Sequence, residues 1–477
     1  MFESPYPPYD PEDKRSFAYK TVAKRWPVII TDLISHVHNQ VHNLTMEERT
    51  PADNGSTDRT IQLKIEEGKK IVAKASHLKY RMERNQELEK IPEDGEIYVH
   101  EYNSELEKLA QIGKNTWYTA PWLYAECYLY RLFRSYFKQT TYWVDFDPFD
   151  SKKEETFRSS VTAIHQIATT MHELETEKDK LIDDPDKLSV LFKEMVQMCL
   201  WGNATDLSLL THLTPSDIEH LQTVGREAQQ ARKEFILKDD QEAAWEYIKS
   251  LKSQAGTVAT CDFILDNAGF ELFTDLVFAD FLVTYTPYFS KAVFHPKLIP
   301  WFVSDVTPTD FRKAIESLSL PTFFDTTLGT TPESAHHLSE MVKRWQRYLE
   351  QGIFCLSTEV GDGHKKAQFW TGPWPYWYME DKANDLWRLL TESSLVIFKG
   401  DLNYRKLTGD VKWPVTTPFA AALGPLAGSF PILSLRTNKA EVVVGISQDV
   451  ADKLDEKDEE WRVNGKYALV SFLPKKL

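Results

Sequence analysis

The feature that most limits what this chain can fold into is a change of texture near Gly256. Beyond it, short apolar runs alternate with amphipathic stretches of helical length. The runs are Thr260–Leu265, Trp301–Ser304, Ile353–Ser357, Leu395–Phe398, Ile432–Leu435, Glu441–Val444 and Tyr467–Phe472. Between several of them lie segments such as Gly269–Tyr285, Ala335–Gln351 and Tyr378–Glu392. Strand–helix alternation of this kind implies a largely parallel sheet covered on both faces by helices. The expected fold class is α/β: a three-layer αβα, doubly wound, mostly parallel sheet preceded by an N-terminal helical domain. In open sheets the ligand crevice lies beyond the carboxyl ends of the strands. The polar residues that follow the runs are therefore the ones to read for chemistry.

The first half reads differently. From Phe17 to about Ser250 apolar residues recur at three- and four-residue steps, as in Thr60–Gln86, Trp122–Phe137, Glu154–His172 and Leu188–Leu200, the spacing of amphipathic helices. Thr214-Pro-Ser-Asp is a helix-start signature ahead of Ile218–Phe235. Thr50–Asp58 and the charged Glu175–Lys187 read as connections. With 477 residues, two domains are expected, divided here as 1–255 and 256–477. The chain carries no internal repeat and no low-complexity tract.

Composition narrows the function classes. With 42% hydrophobic residues, 14 Trp and 26 Phe, a disordered or fibrous protein is excluded. A net charge of -15 argues against nucleic acid or an anionic membrane as partner, while leaving room for an anionic small substrate beside local cations. Cys127, Cys199, Cys261 and Cys355 are far apart and lack metal-ligand spacing, as expected in a reducing compartment. No apolar run approaches the ~18 residues of a membrane span, and the Met-Phe-Glu-Ser-Pro start does not resemble a signal peptide. A cytoplasmic monomer is expected, with the nucleus as a second location. The triplets at Asn43, Asn54 and Asn203 then read as chance matches, and the terminal Lys-Lys-Leu as only part of a peroxisomal address.

Three of the apolar runs end in acidic residues: Asp266-Asn267, Asp305 and Asp401. Brought to one rim, such carboxylates repel, and a divalent cation resolves the conflict. Oxygen donors suit Mg²⁺ or Mn²⁺. Each residue alone also reads as a helix cap, Asp266-Asn267 before Ala268-Gly269 above all. Basic residues follow two of the same runs, in Lys399-Gly400-Asp401-Leu402-Asn403-Tyr404-Arg405 and in Arg436-Thr437-Asn438-Lys439. Arginine and lysine beside a metal supply the charge stabilisation that phosphoryl transfer needs; as an alternative, Arg405 and Lys439 make surface ion pairs. No Walker-type phosphate loop is present. His295, His336, His337 and His364 lack metal spacing and read as ordinary polar histidines. The aromatic string Phe369–Tyr378 reads as packing between layers before it reads as a sugar platform.

These strings resemble a known family, the metal-dependent damage-control phosphatases of subfamily III, and the likeness runs through nearly the whole chain. Thr116-Trp117 with Ala120–Arg131, and Leu200–Asn203 with Asp206–Leu209, are similar to its helical signatures. Asp266–Glu271 looks like its metal motif, Gly400–Leu407 like its substrate segment, and Arg436-Thr437-Asn438-Lys439 like its Arg-Thr-x-Lys motif. The resemblance implies that Asp266, Asn267 and Asp305 bind Mn²⁺, Co²⁺ or Ni²⁺. It also implies that Asp401, Leu402, Asn403, Tyr404, Arg405 and Lys439 hold a phosphosugar such as fructose 1-phosphate or fructose 6-phosphate, with Asp266 and Asn267 near it. A second activity ascribed to the family, carboxyl methylation with S-adenosylmethionine, places Glu271 and Asp305 beside that cofactor. A third reading is a non-enzymatic adaptor built on the aromatic-rich helices. Whether Glu126, Asn203 or Asp206 touches substrate is left open.

Overall fold

Parallel pairing dominates a seven-stranded sheet made of β1 (Ile236–Asp239), β2 (Thr260–Ile264), β3 (Lys291–His295), β4 (Phe354–Leu356), β5 (Leu395–Lys399), β6 (Ile432–Thr437) and β7 (Ala468–Leu473), ordered β1-β7-β6-β5-β2-β3-β4. The computed structural model describes residues 2–49, 59–202, 233–251, 259–320, 323–324, 330–457 and 460–476. Only the β6–β7 pair is antiparallel. The chain runs outward through β2, β3 and β4, then returns to lay β5 on the other side of β2. That reversal puts a crevice at the carboxyl ends of β2 and β5, where open sheets of this class bind ligands.

The central strands are mostly apolar because helices cover both faces. Cys261, Phe263, Leu395 and Ile397 point into one core, with the helices Val161–Thr176, Phe270–Thr284 and Pro332–Gln351. Ile264, Val396 and Phe398 point into the opposite core, beneath Trp370, Tyr376 and Leu386. This is the expected three-layer αβα arrangement. A third core is built by the N-terminal helices Trp26–Arg49, Arg59–Glu83, Val99–Gln111 and Trp122–Lys138. The residues it borrows from the C-terminal half are Ile299, Trp301, Phe302, Val303, Leu402 and Ala440. The helical layer therefore rests on the loops at the rim of the sheet. No described helix is long and apolar enough to cross a membrane.

Several expected elements differ. The run Trp301–Ser304 is a turn rather than a strand, and the strand lies earlier, at Lys291–His295. Its aromatics are spent on packing: Phe302 stacks on Tyr130 with ring centroids 4.9 Å apart. Glu441–Val444 is not a strand either, because the Ala440 and Val442 carbonyls accept from the Arg436 guanidinium and not from a neighbouring strand. The first half is not purely helical. Ile236–Asp239 pairs with β7, and the helices Val161–Thr176 and Pro185–Gly202 share the core of the sheet. Glu175–Lys187 carries a short helix, Lys178–Leu181. The readings at Thr50–Asp58, at Asn203 and Asp206, at Thr214–Asp217 and over 218–232 lie outside the described residues.

Candidate active site

Asp266 and Asp401 follow β2 and β5, Asp305 ends the turn at 301–304, and none of the three is the N-cap of the helix that follows it. The helix Phe270–Thr284 has Gly269 at its N-cap, so neither Asp266 nor Asn267 holds that position. Pro308–Ser319 is capped by Thr307 and Asp310 in a reciprocal capping box, which leaves Asp305 outside it. Gly400–Thr408 has Lys399 at its N-cap and no side-chain cap. The capping alternative therefore fails at all three positions.

Asp266, Asn267 and Asp305 do meet. Asn267 and Asp305 form an isolated antiparallel bridge, Ala268 N donates to Ser304 O (2.7 Å) and Val306 N to Asp266 O (2.7 Å). The Asn267 amide donates to Asp266 Oδ2 (3.0 Å) and to Glu271 Oε2 (2.6 Å), and its oxygen accepts from Ser304 Oγ (2.5 Å). From the neighbouring strand end, Gly400 closes in. A Cβ there would lie 1.7 Å from Asp266 Oδ2, and the backbone φ of +82° favours glycine as well.

The turn that delivers Asp305 is strained. Phe302 (φ 46°) and Val303 (φ 70°) both lie in the left-handed region, a costly place for a β-branched residue. The stack on Tyr130 and the Asp305 N to Trp301 O bond (3.0 Å) hold it. Val303→Gly should thus leave the melting temperature almost unchanged, since relieved strain offsets lost packing. Turnover should nevertheless fall as Asp305 loosens. Parallel thermal melts and kinetics check this, and a large loss of stability would contradict the assignment of strain.

Two buried lysines stand behind the carboxylates. Lys297 donates to Leu265 O (2.7 Å) and lies 3.5 Å from Asp305 Oδ2 and 3.4 Å from Asn403 Oδ1. Lys399 lies 3.1 Å from Glu271 Oε1 and 2.7 Å from Asp275 Oδ1. Burial opposes the Lys399 charge, but the two acids outweigh it and raise its pKa. Burial also pushes Asp275 up to about 7, against the pull of Lys399. Two carboxylates share one ammonium, and the charge of Glu271 adds to burial in raising Asp275. Glu271, engaged by Asn267 and Lys399, is a strut beneath Asp266 and Asn267.

The proposed substrate segment divides by role. Asp401 Oδ1 accepts from Arg436 Nε (2.7 Å) and from the Lys439 backbone N–H (3.1 Å), so it clamps β6 to the helix Gly400–Thr408. Among the described residues no three His, Cys, Asp or Glu side chains gather as a metal cluster; the expected three-carboxylate rim reduces to Asp266 and Asp305 with Asn267. The Asn403 amide donates to the Ile264, Leu265 and Lys399 carbonyls (3.2, 3.1 and 2.7 Å) and its oxygen accepts from Tyr376 Oη (2.7 Å). Asn403 thus ties β2 to β5. Leu402 packs into the N-terminal helical core, and Tyr404 lies under the Arg436 guanidinium, 4.3 Å from it.

Arg405 is buried rather than at the surface. It bonds Glu126 (2.7 Å) and Asp410 (2.9 Å) and sits 3.8 Å over the Trp122 ring. Burial opposes its charge, yet Asp410 and Glu126 hold its pKa above the ordinary value. This pair fixes the N-terminal helices to the helix Gly400–Thr408. Lys439 is also buried, beside Asp401. The aromatic string is packing, as expected, with Tyr376 reaching Asn403. Lys297 is the residue here that the sequence reading did not single out; Lys399, Gly400 and Arg436 stood in its candidate strings without their present partners.

The comparisons agree with the geometry. A family model described as the damage-control phosphatase ARMT1-like domain matches residues 21–454. The chain is 33% identical over 471 residues to the damage-control phosphatase ARMT1 of Danio rerio, covering 96% of this chain and 94% of that one. It is 33% identical to the Mus musculus protein of the same name over 470 residues, and 31% identical to the Homo sapiens one over 469, with 97% of each chain covered in both cases. With the match spanning both the helical layer and the sheet, the chain belongs to the ARMT1-like damage-control phosphatase family.

Proposed function

We propose that this protein is a divalent-metal-dependent phosphatase of small phosphorylated metabolites, with sugar phosphates such as fructose 1-phosphate and fructose 6-phosphate among its substrates. Family membership supports the phosphatase reaction. The observation that carries the metal-dependent reading is the meeting of Asp266, Asn267 and Asp305 at the β2/β5 switch point, while the helices beside them are capped by other residues. Their donor atoms are all oxygen, a set that suits Mn²⁺, Mg²⁺, Co²⁺ or Ni²⁺ with further oxygens from substrate and water. When bound, such an ion polarises phosphoryl oxygens and offsets their charge.

The protein's own residues do the rest. Lys297 and Lys399 keep the acidic cluster from an uncompensated negative charge. Arg436, by holding Asp401 and the 440–442 carbonyls, sets the backbone from which Lys439 projects. Arg405 acts as an anchor of the substrate segment, with Lys439 as the cation for the phosphate. Geometry held this firmly is what catalysis by positioning requires.

A panel of phosphorylated metabolites assayed with Mn²⁺, Co²⁺, Ni²⁺ and Mg²⁺, before and after chelation, tests the reading. Hydrolysis should need the metal, and Asp266→Ala should reduce it by about 100-fold or more while the fold survives. Turnover that persists in chelator, or in that variant, refutes the proposal.

A further inference from the structure

The structure assigns a second binding site on the opposite face of the sheet, and we propose that it takes a nucleoside. A cavity of about 320 Å³ lies against β2, β3 and β4, beneath the helices Gly363–Ala367 and Asn384–Thr391. Its floor is Asp262 and His295, both about 1% exposed, with His295 Nε2 2.7 Å from Asp262 Oδ1. Asp262 Oδ2 has no hydrogen-bond partner among the described residues. A buried carboxylate oxygen in that position calls for a donor, which a ligand hydroxyl or amine supplies.

The walls define the rest of the ligand. Besides His295, the ionic side chains at the cavity are Asp262, Lys291, Lys366 and Glu392, and Lys366 already pairs with Asp362. The two signs nearly balance, so a neutral molecule fits better than a phosphate ester. Val360 and Leu389 at the border are 54% and 42% exposed, and Val293 and Leu386 line the interior. Exposed apolar side chains at the opening of a polar-floored cavity suit a flat heteroaromatic ring. A sugar whose hydroxyls donate to Asp262 and Glu392, joined to such a ring, is a nucleoside. Asp262 precedes Asp266 on β2 and its continuation, roughly 13 Å away at 3.3 Å per residue. The site is thus separate from the candidate catalytic one but mechanically joined to it.

Isothermal titration calorimetry of the full chain with adenosine, and in parallel with fructose, tests the assignment. Adenosine should bind saturably to the wild type and equally to Asp266→Ala. Binding should weaken about ten-fold or more in Asp262→Asn, as the charged acceptor is lost, and in Leu389→Trp, which blocks the opening. Leu389 is half-exposed, so its variant stays folded even where Asp262→Asn does not. No saturable adenosine binding overturns the proposal. So does binding that Leu389→Trp leaves untouched, binding that Asp266→Ala abolishes, or binding of fructose alone.

Discussion

Gly400→Ala is expected to cut turnover by about 100-fold or more, because an ångström-scale shift of a catalytic group costs that much. The added Cβ would lie 1.7 Å from Asp266 Oδ2 and 2.2 Å from its Cγ. Asp266 is buried, with its backbone oxygen tied to Val306 N, so its carboxylate must move away from Asn267 or the β5 end must retreat. The positive φ adds about 1 kcal/mol of strain. The variant should therefore melt a few degrees lower but remain folded, and the loss should appear in kcat even at saturating metal. Steady-state kinetics and a circular-dichroism melt measure both. Wild-type turnover in this variant would mean that Asp266 does not work from where the structure puts it.

The second large effect concerns stability. Lys399→Met removes the ammonium shared by Glu271 and Asp275 and leaves two acids in a fully buried site. Breaking one side of a buried pair of this kind costs about 3–5 kcal/mol. Asp275→Asn in the same chain should recover a large part of it, because a neutral amide needs no counter-charge. Urea unfolding of the single and double variants gives the coupling directly. Simple additivity of the two substitutions would show that Lys399 and Asp275 are not partners.

Much of the sheet could be read from the chain because its central strands are apolar on both faces and bounded by turns. β2, β4, β5, β6 and β7 each overlap a run picked out by composition alone. β3 did not, since Lys291-Ala-Val-Phe-His carries polar residues at both ends. The more apolar Trp301–Ser304 looked like the better strand, although its side chains serve the helical layer. That misplacement hid Lys297. With the strand set at Lys291–His295, the lysine two residues beyond becomes an obvious rim residue. β1 was missed for another reason: a four-residue edge strand has no periodicity to detect. Within the site, Asp266 and Asp401 were legible from their places after strands, whereas Asp305 was reached through a run that is a turn. Their partners were not, because Arg405 with Glu126, or Lys399 with Asp275, are pairs made by tertiary contact between distant segments.

The edge strand β1 carries one more consequence. It pairs along its length with β7, and Phe472 N donates to the Asp240 carboxylate 232 residues earlier. During synthesis, Ile236–Asp239 must wait without its neighbour while the β2–β6 portion is made, and non-local closure of this kind is slow. A shortened product lacking β7 would expose the edges of β1 and β6 together, an invitation to pair with another copy. Cellular supply of this enzyme should accordingly be more sensitive to premature termination near residue 468 than to many substitutions in its interior.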